Sequence, residues 1–302
     1  MIRRFLFLLL LLPSLACADA YSSKILSLSP CWYWRMDAAS GTTETSLGSA
    51  SGSDGTYQAS PALNATGIPA LVDKAVTFAS ASSQYMNWST GGGTCASGNK
   101  GFCASGTLQD TTVIAWIKKT TDISMSVISR AATSNFSWVL FSRNTGTAEV
   151  TVWQIAGANY LTSGVSTSTA CLAASGWCMI AGKITASTPK AQVYVNGVPD
   201  SSSTTTSGTC NEGGTFDLAR RGDNTNYADA TIDEVAVFTS LVSDADIALL
   251  YTLGAKLPSH GGMPFSARRD WNVILGPESW SVKRGSLATF LKTGTAVMGM
   301  LW

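Results

Sequence analysis

The sequence predicts an all-β fold, a sandwich of two antiparallel sheets with one short helix near its end. Runs of β-branched and aromatic residues recur along the 302-residue chain, and clusters of Gly, Ser, Asn and Pro separate them. Short strands at such spacing are typical of a β-sandwich. Within this pattern, Asn196 and Gly197 accept the positive φ angles of a two-residue turn. We therefore expect a hairpin there.

The predicted strands suit a pleated, half-buried surface, because they are rich in Val, Ile, Thr and aromatic residues. In the first, CWYWRMD, side-chain alternation places Trp32, Trp34 and Met36 on one face. The later strands are KAVTF, TTVIAWIKK, SWVLFS, EVTVW, WCMIAGKI, AQVYV, TFDLA and TIDEVAVF.

One segment near the end of this region is predicted to be a helix. Ser243 can cap it, and Asp244 and Asp246 complement the positive end of its dipole. Apolar residues recur at helical spacing until Gly254 ends the pattern.

The first 20 residues have the pattern of a secretory signal peptide. Arg3 and Arg4 precede an apolar run, and the small-x-small triplet from Ala18 to Ala20 predicts cleavage near Ala20. Acylation of Cys17, as in a lipoprotein, is the alternative. No later run approaches the roughly 20 apolar residues of a membrane span. We therefore expect a secreted, extracellular or periplasmic protein.

The remaining chain divides into a β domain over residues 21–255 and a linker with a tail of unassigned fold over residues 256–302. Charged residues make up 13% of the sequence, against about 25% in an average domain. Loss of the leader would leave 18 basic and 18 acidic residues. A neutral chain offers no electrostatic footprint for nucleic acid.

An even number of cysteines in an exported chain indicates a disulfide framework. The six that follow the leader are Cys31, Cys95, Cys103, Cys171, Cys178 and Cys210. Spacing favours Cys95–Cys103 and Cys171–Cys178, and elimination then leaves Cys31–Cys210, although six cysteines allow 15 pairings. Zinc is the alternative, but the chain has no CxxC motif and a single histidine, His260.

Several motifs, in order, resemble a known family. They are PCWYWRMDAASGTT, GTY, KAVTFASASSQYM, TVIAWIKK, GWCMIAGKI with AQVYVNGV, and ATIDEVAVFTSLVSDADIALLYTLG. The chain from Pro30 to Gly254 is similar to the LamG-like domains of the concanavalin A-like lectin/glucanase superfamily. The resemblance implies a jelly-roll sandwich with one concave sheet. Ala38 departs from the family, which commonly has an acid there.

The sequence lacks the patterns of the common hydrolases. The catalytic branch of the resembling superfamily carries Glu-x-Asp-x-x-Glu on one strand, and this chain has no such run. Asp233 and Glu234 are adjacent, so strict alternation would point them to opposite faces of a strand. We therefore expect no catalytic residues and a protein that is not an enzyme.

Strict alternation would also turn one of these two carboxylates inward, where it needs hydrogen bonds or a cation. A salt bridge to Arg35 or hydrogen bonds from loop amides is one solution, and structural calcium is the other. The resemblance places calcium in regions of this chain that carry four acids: Asp37, Asp54, Asp229 and Asp233.

Aromatic rings beside amide side chains are the other lead, because rings stack on sugars. Trp88 and Trp138 are candidates, but a stronger group follows a predicted strand end: Trp153, Gln154, Asn159 and Tyr160. These residues predict a glycan-binding site on one sandwich face.

Three functions remain open. The leading one is a secreted, non-catalytic module that binds a glycan or a cell-surface partner. The second is a structural or adhesion component of a virion or cell envelope, with the tail as docking segment. The third is a degenerate polysaccharide-active enzyme. The tripeptide Arg221-Gly222-Asp223 matches an integrin ligand, but its place between two predicted strands favours a turn.

Overall fold

The computed structural model describes most of the chain between residues 19 and 255. The described residues are 19–50, 53–71, 73–88, 95, 102–132, 135–153, 160–188, 190–200, 202–205, 209–211 and 215–255. They belong to one compact unit. The predicted leader, except Asp19 and Ala20, and the predicted tail, residues 256–302, lie outside them.

The described residues form two large antiparallel sheets and two α-helices. The strands are β1 Trp32–Trp34, β2 Thr43–Glu44, β3 Gly55–Gln58, β4 Ala62–Thr66, β5 Lys74–Phe78, β6 Tyr85–Trp88, β7 Cys103–Ala104, β8 Thr107–Leu108, β9 Thr111–Lys119, β10 Met125–Ala132, β11 Asn135–Ser142, β12 Ala148–Trp153, β13 Tyr160–Val165, β14 Cys178–Thr185, β15 Lys190–Val195, β16 Val198–Pro199, β17 Ser202–Thr205, β18 Thr215–Leu218 and β19 Ala230–Phe238. The helices are α1 Ala20–Ser27 and α2 Asp244–Gly254.

The eight-stranded sheet has the order β16-β15-β14-β9-β19-β5-β4, and β1 pairs with β19. The nine-stranded sheet has the order β17-β13-β12-β11-β10-β18-β6-β3-β2. All strand pairs are antiparallel, and β7 and β8 form a separate small hairpin. The predicted two-sheet sandwich is therefore confirmed.

The main core lies between the sheets. Trp34, Ile180 and Val237 of the eight-stranded sheet and Trp138 and Leu218 of the nine-stranded sheet are fully buried in it. The predicted hairpin is also present, because Asn196 and Gly197 join β15 to β16 with φ angles of 52° and 80°.

The helices cover the outer face of the eight-stranded sheet. The cap predicted for α2 is present, because Ser243 Oγ accepts a hydrogen bond from the Asp246 amide at 3.1 Å. Helix α1 is not among the predicted elements, because its first residue, Ala20, is also the last residue of the predicted leader. Tyr21 and Ile25 of α1 are fully buried, as expected for an amphipathic helix with apolar residues four apart.

A β-bulge interrupts β19 at Asp233 and Glu234, and the prediction from strict alternation is wrong there. The pairing of β19 with β9 shifts between Asp233 and Ala236, and Glu234 has a φ of 50°. The extra residue leaves Ile232 and Val235 both in the inter-sheet core. The two acids between them therefore share the outer side of the sheet.

Three disulfides join the six cysteines: Cys31–Cys95, Cys103–Cys210 and Cys171–Cys178. The last pair confirms its prediction, with Cα atoms 5.5 Å apart. The predicted pairs Cys95–Cys103 and Cys31–Cys210 are wrong. The prediction paired cysteines that are close in sequence. In the fold, the β7–β8 hairpin that contains Cys103 lies beside Cys210, whose amide donates to the carbonyl of Gly106 at 3.0 Å.

Candidate functional site

The two outer faces of the sandwich differ in what lies on them. Tyr21, Ile25 and Leu250 of the helices pack with Trp116 and Phe238 on the eight-stranded sheet, and we call this the helix-covered face. Both α-helices lie there. Among the described residues, the outer face of the nine-stranded sheet carries strands and turns and neither of the two α-helices.

One group of half-buried and exposed side chains stands out on the outer face of the nine-stranded sheet. It consists of Gln58, Tyr85, Asn87, Asn224 and Tyr227, and we call it the tyrosine patch. Alternation along β6 turns Tyr85 and Asn87 outward, because Met86 and Trp88 are buried between the sheets. Gln58 donates to Asn87 Oδ1 at 3.1 Å, and the tyrosine rings meet edge to face with centroids 6.3 Å apart.

A buried ion pair supports the tyrosine patch from within. The Arg220 guanidinium lies 3.5 Å from the centroid of the Tyr85 ring. Its Nη2 donates to Asp217 Oδ1 at 2.9 Å, and its Nη1 donates to Asn224 Oδ1 at 2.5 Å. Asp217 is fully buried, and burial raises its pKa while Arg220 lowers it. Arg220 therefore contacts two members of the patch, Tyr85 and Asn224, and the buried ion pair with Asp217 holds its guanidinium beneath them.

The tripeptide Arg221-Gly222-Asp223 forms a turn next to this patch. The Arg221 guanidinium donates to both oxygens of Asp223, at 3.0 and 2.7 Å. Burial acts to raise the pKa of Asp223, but hydrogen bonds from Arg221 and Thr225 outweigh it and hold that pKa below its usual range. A side chain on Gly222 would collide with the carbonyl oxygen of Ala131. The predicted turn is present, because the Asn224 amide donates to the Arg221 carbonyl at 3.0 Å. The sequence did not predict that Arg221 and Asp223 pair with each other.

A second cluster of ionic side chains lies where α1 meets β1 and β19. It consists of Arg35, Asp19, Asp73, Asp233 and Glu234, and we call it the carboxylate cluster. Nη2 of Arg35 lies 2.9 Å from Asp19 and 3.0 Å from Asp73, and its Nε lies 3.4 Å from Glu234. The predicted salt bridge to Arg35 is present for Glu234, whereas Asp233 accepts the backbone amide of Ile68 at 2.9 Å. The guanidinium is the cation that Asp19, Asp73 and Glu234 share.

Burial dominates the protonation of these acids. It raises the pKa of Asp233 well above its ordinary value, and the charges of Glu234 and Asp73 raise it further. Burial likewise raises the pKa of Glu234 well above its ordinary value, against hydrogen bonding from Tyr33 and the charge of Arg35. The pKa of Asp73 is also raised by burial, although Arg35 opposes the shift. The raised pKa values therefore favour retention of protons in the cluster, because one guanidinium does not balance all of its carboxyl groups.

The four acids predicted to bind calcium do not converge. Asp37 lies 3.5 Å from Arg35, and Asp54 accepts the amide of Ser46 at 2.9 Å. Asp229 accepts the hydroxyl of Thr121 at 2.6 Å. Only Asp233 belongs to the carboxylate cluster, so these four residues together do not form a site.

Asp73 and Asp233 fit a hard cation better. Oδ1 of each is buried and has no hydrogen-bond partner within the described part of the chain. Both carboxylates flank Gly67, since a Cβ there would collide with Asp73 Oδ1 and lie 2.9 Å from Asp233 Oδ2 and 3.2 Å from the Asp73 carbonyl. Carboxylate and carbonyl oxygens around one small space are the ligands that calcium prefers.

The aromatic residues predicted to bind glycans lie in different parts of the structure. Trp88 and Trp138 are buried between the sheets and belong to the core. Trp153 and Tyr160 are direct partners at the ends of β12 and β13, where only their backbone is described. Gln154 and Asn159 lie outside the described residues. Sequence reasoning missed Tyr85, although the polar positions of β6 alternate with Met86 and Trp88.

A family model places the chain among known proteins. The model described as the concanavalin A-like lectin/glucanases superfamily, Laminin_G_3, matches residues 89–248, just over half of the sequence. The chain belongs to this superfamily. The resemblance drawn from the sequence motifs is therefore confirmed. Within the tyrosine patch, Asn224 and Tyr227 fall inside the matched segment of this concanavalin A-like chain, and Tyr85 precedes it.

Solved structures confirm the concanavalin A-like architecture. The binding domain of botulinum neurotoxin serotype D is 17% identical, with a TM-score of 0.51 over 76% of this chain and 52% of that chain. The binding domain of Paraclostridial Mosquitocidal Protein 1 is 11% identical, with a TM-score of 0.52 over 74% and 52%. The chain thus spans about half of the length of these structures. No curated protein matches it in sequence.

Proposed function

We propose that the chain is an exported, non-catalytic recognition module that binds a glycan or a cell-surface partner through the tyrosine patch. The observation that carries this proposal is the pair of partly exposed rings, Tyr85 and Tyr227, beside Arg220 on the outer face of the nine-stranded sheet. Rings and amides in fixed positions suit sugars, which present apolar faces and hydroxyl groups. The similar toxin structures are binding domains by name.

Export is supported by the three disulfides, because such bonds persist in oxidising compartments. None of the described helices is long and apolar enough to cross a membrane.

The pairing of the acids supports a binding role over hydrolysis. On the outer side of the nine-stranded sheet, Asp217 is paired with Arg220 and Glu149 with Arg143. On the other side of the sandwich, Asp233 and Glu234 are fully buried. Glycoside hydrolysis needs two carboxylates that flank one exposed bond, and none of these four is placed to do so.

A glycan array probed with Tyr85→Ala and Tyr227→Ala tests the proposal. We expect the wild-type protein to bind a glycan and each variant to bind at least about tenfold more weakly, a loss of about 1.4 kcal/mol. Tyr251→Ala is the matched control, because Tyr251 stacks on Trp116 on the helix-covered face. If all three variants bind alike, the tyrosine patch is not the site. Turnover of a polysaccharide would contradict the non-catalytic role.

We further propose that Asp73 and Asp233 hold a structural calcium ion beside Gly67. When bound, calcium would supply positive charge to buried carboxylates and brace the loop before β5. We expect calcium to raise the melting temperature by several degrees in the wild-type protein and not in Asp73→Asn. Asp54→Asn, which removes an acid elsewhere, should keep the response. An unchanged response in Asp73→Asn would contradict this site.

A further inference from the structure

The sequence contains two overlapping cleavage patterns at the end of the apolar leader. One is Ala16-Cys17-Ala18 and the other is Ala18-Asp19-Ala20. A signal peptidase cuts after the second small residue of such a pattern. The two sites yield mature chains that differ by two residues, Asp19 and Ala20.

The fold uses both of these residues. Asp19 is the N-cap of α1, and its Oδ1 accepts the Ser22 amide at 2.7 Å. Its Oδ2 pairs with Arg35 at 2.9 Å, so the same carboxylate joins α1 to the carboxylate cluster. Ala20 is the first residue of α1 and is exposed.

Cleavage after Ala20 would remove these contacts. α1 would lose its cap, which is worth about 1 kcal/mol. Arg35 would lose one of its carboxylates, and the new α-ammonium would belong to Tyr21, which is fully buried. Cleavage after Ala18 leaves the ammonium on Asp19, whose own carboxylate is beside it.

We infer that the leader is removed at the Ala18–Asp19 bond and that the functional chain begins at Asp19. Water hydrolyses the peptide bond, leaving a carboxylate on Ala18 and an ammonium on Asp19. This inference rests on the proposed export of the chain and is independent of the ligand.

Single substitutions separate the two sites. Ala16 belongs only to the first pattern and Ala20 only to the second, whereas Ala18 is shared. The full chain, Ala16→Leu and Ala20→Leu would be exported from a bacterial host, and the first residue of each product would be read by N-terminal sequencing and intact mass. Leu at position 20 suits an exposed helical residue.

We expect the wild-type protein and Ala20→Leu to begin at Asp19, and Ala16→Leu to lose most of that product. A wild-type product that begins at Tyr21 would overturn the inference while leaving export intact. A block of leader cleavage by Ala20→Leu would do the same. A chain acylated at Cys17 would also overturn it. An uncleaved chain retained in the cell would overturn both the inference and the proposed export.

Discussion

Among single residues, Arg35 has the largest set of ionic partners in the described part of the chain. It contacts Asp19, Asp73 and Glu234, and Asp37 lies 3.5 Å away. Burial opposes its charge, but the carboxylates, Glu234 first, raise the pKa of Arg35 above its ordinary value. The guanidinium is therefore charged at every pH at which the protein is folded.

Removal of this guanidinium should destabilise the fold strongly. Arg35→Met keeps the apolar stem and leaves buried carboxylates without their cation, a change that typically costs about 3–5 kcal/mol. Urea unfolding at neutral pH in the presence of a chelator measures it. Lys74→Met is the control, because Lys74 is exposed on a neighbouring strand. A loss for Arg35→Met no larger than that of the control would contradict this role.

Asp233 should make stability depend on pH in an unusual direction. Its pKa is raised by burial and by the charges of Glu234 and Asp73. The folded protein therefore keeps a proton that the unfolded chain releases near pH 4. Without calcium, the contribution of Asp233 to the free energy of unfolding should fall as the pH rises from about 4 toward neutrality.

Asp233→Asn tests this dependence, because an amide can accept the Ile68 hydrogen bond without a charge. The variant should be more stable than the wild-type protein at pH 7, with a weaker pH dependence. Urea titrations between pH 4 and 8 with a chelator measure both effects. Stability of the wild-type protein that rises with pH, with the same slope in Asp233→Asn, would show that Asp233 is charged when folded.

At the scale of elements, the sequence predicts strand β19 but not the bulge within it. The motif TIDEVAVF identifies the strand and the family, but strict alternation does not predict that Ile232 and Val235 both lie in the core. Alternation does not reveal the bulge, because a bulge depends on the register against β9, which is distant in sequence. The acids share one side for this reason.

The N-cap residue of α1, Asp19, should contribute to the stability of the fold. Asp19→Ala removes both the cap and the ion pair, and it should cost about 1–2 kcal/mol. Asp19→Asn keeps a capping oxygen without the charge and should cost less. Urea unfolding gives the order of stability, and hydrogen exchange at the Ser22 amide should be faster in Asp19→Ala alone. Equal losses in both variants would assign the effect to the ion pair rather than the cap.

For the whole molecule, local chemistry was predictable and long-range pairing was not. The Asn196-Gly197 turn and the Ser243 cap depend on neighbouring residues, so the sequence predicts both correctly. The pairing of Cys103 with Cys210 depends on segments 107 residues apart that meet only in the folded sandwich. The tyrosine patch was missed for the same reason, because Tyr85 and Tyr227 come from different ends of the domain.

The two kinds of disulfide should contribute unequally to stability. Cys103–Cys210 closes a separation of 107 residues and Cys171–Cys178 one of 7. Loop-closure entropy predicts that replacing the longer pair by alanines costs about 2 kcal/mol more. Urea unfolding of the two double variants makes a matched comparison, since all four cysteines are buried.

Peptide mapping without reduction provides the check on the pairing itself. It should show Cys31 linked to Cys95 and Cys103 linked to Cys210. Linkage of Cys95 to Cys103 would contradict the structure.

Both ends of the described body lie on the helix-covered face. α1 begins the body and α2 ends it, and Lys24 of α1 pairs with Asp246 of α2 at 2.6 Å. The tyrosine patch lies on the opposite side of the sandwich. A molecule tethered to a surface by either end of this body would therefore present Tyr85 and Tyr227 to the surrounding medium. The two sheets would separate these rings from the surface.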